Sequence, residues 1–366
     1  MPKVSICIPS YNHGRFIGTA IESILNQSYT DWELLIQDDC SLDDTQRVLQ
    51  TYSDSRIIIH HNSSNLGPVV TLNAVMSQAQ GVYLSFLASD DYFFPHKLTT
   101  QVAYLDAHPE CGAVFGLPMV IDDHNTHLDT QTRLWSSGPP SRPQQLQHLF
   151  FHDNYLCHPT VMMRRSVFQE LGPYDLRLRQ LPDYDYWIRL LTKYSLHVLP
   201  DQVTALRKLA NMQNESAPRP EVLARTDWER FYVLRRYLDL DKSLFEETFA
   251  QEIHTLDLKG LDRQVQLGRI AGAAQHKSVK AFGLDLLWHA VSKGSHGITI
   301  PELWELAGSL DIFGANMVPT QALADVRLEI ETIRKDIHHI TNSKSWRMTS
   351  FARILMRRLL SMRAIR

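Results

Sequence analysis

The chain has 366 residues, 44% of them hydrophobic and 21% charged, and a formal net charge of −3; this is an ordinary globular composition, with no global pull toward nucleic acid. No apolar run reaches the length of a membrane-spanning helix, MPKVSICIPSYN lacks a signal-peptide pattern, and the scattered Cys7, Cys40, Cys111 and Cys157 form neither a CxxC pair nor a zinc spacing, so they read as reduced cytosolic thiols packed as small hydrophobes. The length exceeds what one core usually organises, which predicts one domain of catalytic size plus something smaller.

Strand and helix patterns alternate from the start. Val4 to Pro9 is a short apolar strand, and Arg15 to Gln27 has helical spacing through Phe16, Ala20, Ile21, Ile24 and Leu25. Trp32 to Ile36 is the next strand. Ser41-Leu-Asp-Asp44 reads as a variant capping box opening a helix to about Tyr52. Strands then follow over Arg56 to His60, Val82 to Leu87 and Gly112 to Ile121, with helices over Gly67 to Ala79 and Pro95 to His108 between them. Such alternation predicts a mainly parallel α/β sheet with helices on both faces. Asp123 to Pro143 is polar and Pro-rich, the composition of a loop, and helical and extended pieces resume from Gln144. NESAPRP (214 to 220) reads as a linker, beyond which the pattern is mostly helical.

Ligands of open α/β sheets bind outside the carboxyl ends of the strands. Here those ends carry Ser10-Tyr11-Asn12, Asp38-Asp39 and Ser89-Asp90-Asp91. There is no GxGxxG after the first strand and no GxxxxGK[ST], which argues against a dinucleotide fold or a P-loop. An acidic edge that binds an anion needs a cation between them, and Mg²⁺ or Mn²⁺ suits carboxylate and phosphate oxygens. Asp90 and Asp91 therefore read as a metal and nucleotide seat; the alternative is a pair of solvated turn residues before the helix at Pro95.

The ordered set VSICIPSYN (4 to 12), Gln37-Asp38-Asp39-Cys40-Ser41 with Asp44-Thr45, Asn65-Leu66-Gly67, FLASDD (86 to 91), LGPYD (171 to 175) and PDYDYWIRL (182 to 190) resembles glycosyltransferase family 2 over roughly residues 1 to 215. The resemblance implies a GT-A fold and an inverting, metal-dependent transfer from a nucleotide diphosphate sugar. It implies that Pro9 and Tyr11 line the base pocket, that Asp39 hydrogen-bonds the base, and that Asp90 lies near the ribose. It further implies that Asp91 holds the metal bridging the diphosphate and that Asp183 deprotonates the acceptor hydroxyl. Each role has a rival. Asp39 could cap the helix after Ser41, Tyr11 could be a packing aromatic, and Asp183 could be an N-cap. Asp185 is the alternative base; on a helix the two acids point about 200° apart, so only one faces the site. His13 and His158 are either substrate contacts or packing residues.

The sequence departs from the family pattern in places. Many members carry an acid where Ala88 and Pro182 stand, and a histidine soon after the arginine that here is Arg207; this chain reads Arg207-Lys208-Leu209. Either cation could neutralise phosphate instead. The departures also motivate a second reading, a non-catalytic GT-A-fold scaffolding or binding subunit of a polysaccharide assembly complex. A nucleotidyltransferase is a third, but IPSYNHGRF is a poor phosphate loop.

In the C-terminal third, Leu323, Val326, Ile330, Ile333, Ile337 and Ile340 recur at spacings 3, 4, 3, 4, 3, an a/d seam that packs on the chain's own helices or on a second copy. Residues 343 to 366 carry seven basic residues and no acid, with an apolar helical face through Met348, Phe351, Leu355, Leu359 and Met362. This pattern suits an anionic membrane surface or an acidic protein face, and it resembles the SxSWRxT tails of bacterial surface-polysaccharide glycosyltransferases. The expected organisation is thus 1–215 as the GT-A domain, 216–318 as a helical region, and 319–366 as a coiled-coil segment with a basic tail. The expected place of action is the inner face of the cell membrane, on a glycan or lipid-linked acceptor, with UDP or dTDP as the carrier.

Overall fold

The computed structural model describes residues 1–132, 135–210, 214–294 and 297–309. The expected coiled-coil segment and basic tail lie outside the described residues. Residues 1–307 form one compact unit.

Among the described residues eight strands form a single sheet: β1 (Val4–Ser10), β2 (Trp32–Asp38), β3 (Ile57–His61), β4 (Tyr83–Phe86), β5 (Tyr92–Phe93), β6 (Cys111–Ile121), β7 (Met162–Arg164) and β8 (Ser195–Arg207). Their order is β3-β2-β1-β4-β7-β6-β8-β5. The half containing β3, β2, β1 and β4 is parallel. β7 then runs antiparallel to both β4 and β6, and β5 runs antiparallel to β8. The expected parallel character therefore holds for the first half, while β5 and β7 make the whole sheet mixed. Both are too short to carry a readable alternation, and only their tertiary partners define them.

Burial on both faces follows from the sequence. Along β1, Val4, Ile6 and Ile8 enter one core with Ile17, Ala20, Ile21 and Ile24 of the helix Ile17–Leu25. Cys7 points the other way, into a core shared with Val69, Leu72, Val75 and Met76 of the helix Pro68–Ser77. That second core also holds Trp187, Ile188 and Leu191 of the helix Pro182–Leu191 and, from the helical region, Val233, Tyr237 and Phe249. β6 pairs with β8 through register shifts at Cys111/Ala113, Phe115/Leu117 and Leu117/Pro118. Such bulges bend the pair and admit a proline that a regular central strand would exclude.

Candidate active site

The carboxyl ends of β1 and β2 lie level, since Ser10 pairs with Asp38. Asp39 continues this edge by donating its N–H to the Ser10 carbonyl. β4 ends beside Cys7, and Leu87 still donates to the Cys7 carbonyl before the chain turns through Ala88 to Asp91. The three polar clusters of the sequence therefore share one rim.

Asn12 and Cys40 both adopt left-handed backbone, at φ 52° and 62°. The loops they bend are stitched together. Asn12 N–H donates to Ser41 Oγ at 2.8 Å, Leu42 N–H to Asn12 Oδ1 at 2.8 Å, and Gly14 N–H to Asp43 Oδ2 at 2.9 Å. A Cβ at Gly14 would stand 2.7 Å from the Thr45 nitrogen, so the approach of the two backbones requires glycine. Ser41 is not the expected helix cap. The helix is Thr45–Leu49, no side chain caps it, and Ser41 Oγ instead donates to Asp38 Oδ1 at 2.5 Å. Asp43 takes over locally, accepting from the N–H and hydroxyl of Thr45 at 2.9 and 2.5 Å.

Asp39 does not cap that helix either. Its Oδ1 accepts from Asn62 Nδ2 at 2.7 Å and from the Leu66 N–H at 2.8 Å, and its Oδ2 accepts from the Gly67 N–H at 2.8 Å. It thereby holds the 62–67 loop against the rim. Tyr11 is 40% exposed at the end of β1, so it is not a core aromatic, and Pro9 beside it is half-buried.

Asp91 is the most unusual group. It is 2% exposed, its Oδ1 accepts from the Arg207 N–H at 2.7 Å, and its Oδ2 is buried with no hydrogen-bond partner. Burial, with the adjacent Asp90 carboxylate adding to it, holds its carboxyl well above the usual carboxylate range. Ser10 Oγ on the same rim is likewise buried and unpartnered. Buried polar atoms are rarely left this way unless something else completes them. A divalent ion fits the orphaned Asp91 oxygen. Among the described residues no cluster of three ligating side chains exists, so such an ion would take its other ligands from phosphate and water. His13 Nδ1 lies 2.7 Å from Ser89 Oγ, which ties the loop after β1 to this turn. Asp90 meets Asn214 Nδ2 at a long 3.4 Å.

Arg207 does not present its guanidinium to the rim. It is 3% exposed; its Nε donates to the Asp90 carbonyl and its terminal nitrogens to the Asp122 carbonyl and Asn125 Oδ1, each at 2.7 Å. It frames the Asp90-Asp91 turn. Lys208 is exposed, and its positive charge reaches both Asp91 and Cys157.

Asp183 and Asp185 both lie in the first turn of the helix Pro182–Leu191, and the structure separates them sharply. Asp185 is 1% exposed and pairs with Arg189 and Arg236, both at 2.8 Å. Asp183 is half-buried with no cationic partner among the described residues; its Oδ2 accepts from Asn154 Nδ2 at 3.0 Å and its Oδ1 from the Tyr184 N–H at 2.8 Å. Loss of hydration pushes its carboxyl up to about 6. The thiol of Cys157 is buried, and loss of hydration, with the charges of Asp91 and Asp183 adding to it, holds it well above the usual thiol range. His158 stacks on Phe86 at 4.0 Å, meets the Tyr174 hydroxyl at 3.0 Å, and is held down to about 3 by burial, the surroundings of a packing residue.

Two contributors escaped the sequence reading. Asn154 sits in a stretch with no pattern of its own. Glu229 comes from the helical region; it is 4% exposed and accepts the N–H groups of Arg179, Gln180 and Leu181 at 2.8–2.9 Å, which fixes the approach to the Asp183 helix.

A mixed sheet with a parallel nucleotide-type half and an acidic rim is the GT-A architecture. Staphylococcus aureus TarS 1-349, solved in complex with UDP-GlcNAc, shares it with a TM-score of 0.55 at 18% identity, over 80% of this chain and 87% of that one. The profile described as Glycosyl transferase family 2 matches residues 5–172. Two Bacillus subtilis proteins named as glycosyltransferases are similar in sequence. EpsE is 34% identical over 193 residues, 51% of this chain and 66% of that protein; TuaG, named for teichuronic acid biosynthesis, is 32% identical over 195 residues, 52% of this chain and 73% of that protein. The matched segments thus span about two thirds of these relatives' length. The chain belongs to glycosyltransferase family 2.

Proposed function

We propose that this chain is an inverting, metal-assisted glycosyltransferase that moves a sugar from a nucleotide diphosphate sugar to a hydroxyl of a growing, lipid-linked bacterial cell-surface glycan. The observation that carries the reading is a pair of acids with different surroundings: Asp91 on the strand-end rim with an orphaned oxygen, and Asp183 held by Asn154 and the Tyr184 N–H and pushed up to about 6 by burial. Tyr11, Pro9 and Asp39 hold the base, with UDP favoured over dTDP, and Asp90 lies by the ribose. Asp91 would hold Mg²⁺ or Mn²⁺, and such an ion would supply positive charge to the departing diphosphate. Lys208 adds a second positive charge there.

Asp183 accepts the proton of the acceptor hydroxyl. That oxygen bonds to the anomeric carbon, and the pair of electrons of the old carbon–oxygen bond leaves with the nucleoside diphosphate on the opposite face. A positioned carboxylate contributes about 10²- to 10⁴-fold by such proton transfer. Relatives named for surface glycans support the acceptor class: TuaG, and WcaA of Escherichia coli, named for colanic acid biosynthesis and 27% identical over 222 residues. Mannosyltransferase PcManGT of Pyrobaculum calidifontis, a neighbour in fold solved with GDP-Man and Mn²⁺, supports a divalent ion at such a rim.

The deciding experiment is nucleotide release from a panel of sugar nucleotides with and without Mn²⁺, and assignment of the product's anomeric configuration. We expect metal-stimulated release and an inverted product, with the stimulation lost in Asp91→Asn. Donor binding without turnover on any donor and acceptor pair would leave the scaffolding reading instead. The basic segment 343–366 places the enzyme on an anionic membrane surface at the acceptor. Deleting it should reduce association with phosphatidylglycerol vesicles while donor hydrolysis stays unchanged; undiminished association would remove it from that role.

A further inference from the structure

A cavity of about 540 Å³ lies between residues 175–185, the helix Pro220–Val233 and the turn that follows it. This volume is within the range of about 300–1,000 Å³ typical of small-ligand sites. Asp185 is among the residues lining it; Asp183, which points away on the other side of the same helix, is not, nor are Asp39, Asp90 and Asp91. The cavity is therefore separate from the acidic rim, and it backs onto the helix that carries Asp183.

We propose that this cavity is a second carbohydrate-binding site, taking an uncharged stretch of the glycan. The charge pattern excludes other classes of ligand. Asp175, Asp185, Glu229 and Asp239 face Arg177, Arg235 and Arg236 across it. Most are already matched: Asp175 with Arg177 at 2.6 Å, Asp185 with Arg236 at 2.8 Å, and Glu229 with three backbone N–H groups. With four carboxylates against three guanidiniums the lining is net negative by one charge and repels a phosphate or nucleotide. An acyl chain or apolar peptide would strip water from ion pairs without replacing it. A neutral polyol suffers neither objection, because its hydroxyls both donate to carboxylates and accept from the spare guanidinium N–H groups.

The rim supplies the other half of sugar recognition. Trp228 is 63% exposed and Tyr232 is 46% exposed, with ring centres 5.2 Å apart and planes at 70°. Two large rings left in water beside a polar floor offer flat apolar faces to the C–H side of a pyranose, while the floor meets its hydroxyls. The site rests on the reading of the acceptor as a glycan and deepens it. An occupant would lie over the wall that Glu229 and Asp185 form behind their partners, and Glu229 holds the residues that lead into the Asp183 helix, so chain length beyond the reacting sugar would be sensed near the base.

The test uses the full chain and an array of neutral bacterial oligosaccharides built from hexoses, N-acetylhexosamines and deoxyhexoses, probed with and without saturating UDP and Mn²⁺. We expect retention of at least one oligosaccharide, insensitive to UDP and kept by Asp183→Asn. Trp228→Ala and Tyr232→Ala should each weaken it about five- to tenfold while donor hydrolysis, measured on the same samples, stays at the wild-type rate. No retained member, retention displaced by UDP, or equal retention by the aromatic variants would overturn the site. Donor turnover without glycan retention sinks this site alone; glycan retention lost with the aromatic variants, without turnover of any donor, sinks the transferase reading and leaves the site.

Discussion

At the scale of single residues, the molecule separates two acids that the sequence places two positions apart. The motif PDYDYWIRL shows both Asp183 and Asp185, and a helix dictates that they diverge; the i,i+4 spacing of Asp185 and Arg189 within the motif marks Asp185 as the paired one, and the second partner, Arg236, some fifty residues away, has no local signal. Asp183→Asn should lower turnover about 10²- to 10⁴-fold with little change in donor affinity, and wild-type kcat/KM should rise with pH through about 6 as the carboxylate forms. The same group carries a cost in stability. Its folded value lies above the unfolded one of about 3.9, so between roughly pH 4 and 6 the folded state binds more protons and stability falls as pH rises. The Asn variant should therefore be more stable than wild type by roughly 1–3 kcal/mol above pH 6, with the difference vanishing toward pH 4; thermal melts across that range check it. A constant difference at all pH values would mean that the carboxyl is not strained by burial. Asp185→Asn should behave in the opposite way, destabilising the fold by removing the carboxylate shared by Arg189 and Arg236, which keep only the Leu171 and Pro173 carbonyls and the longer contact to Asp175, while the pH profile of the remaining activity stays in place.

At the scale of elements, most of the legible strands were the buried ones, with β3 read despite its exposure because its Ile57-Ile58-Ile59 run is β-branched. β1, β2, β4 and β6 were readable because apolar residues on both faces leave an unbroken signal. β5 and β7, of two and three residues, exist only through their pairing with β8, β4 and β6. The long β8 was hidden by polar residues, Asp201 and Gln202, and by its shifted register against β6. The capping signal at Ser41 failed for a different reason: a bond back to Asp38 and the long-range bond from the Asn12 N–H outcompeted the cap. Glu229 is the clearest element-level device, since one carboxylate from the helical region receives three successive N–H groups that precede the Asp183 helix. Glu229→Ala should leave these partly buried donors without their acceptor, lowering Tm, with solvent able to reach some of them and soften the roughly 1–3 kcal/mol of a fully buried donor. If the clamp positions the base, Glu229→Gln should depress kcat well before it affects donor affinity, because a neutral amide offers only one accepting oxygen. A variant with reduced Tm but unchanged kcat would reduce Glu229 to a purely structural part.

At the scale of the whole molecule, the motifs that reveal the family end near residue 215, yet the apolar core does not. Phe150 packs edge to face with Tyr237 and Phe249 at 4.9 and 5.0 Å, and the Tyr237 hydroxyl donates to the Leu146 carbonyl at 2.7 Å. Val233, Leu234, Tyr237, Phe245 and Phe249, each at most 2% exposed, belong to the same core as Trp187 and Tyr184. Motif spacing cannot disclose this, because a helix whose apolar stripe faces a distant partner looks the same as one that folds alone. A chain cut after residue 215 would uncover the facing surface of that core. At roughly 1.5–3 kcal/mol for each large apolar side chain returned to water, five such losses approach the whole stability of a domain, about 5–15 kcal/mol. We therefore expect residues 1–215 alone to aggregate or to melt without a cooperative transition, and residues 1–309 to unfold in a single sharp one. Near-UV circular dichroism and calorimetry of the two chains test this directly. A soluble 1–215 fragment with native aromatic ellipticity would mean that the helical region merely leans on a self-sufficient domain, and the clamp from Glu229 to the Asp183 helix would then have to be maintained without a common core.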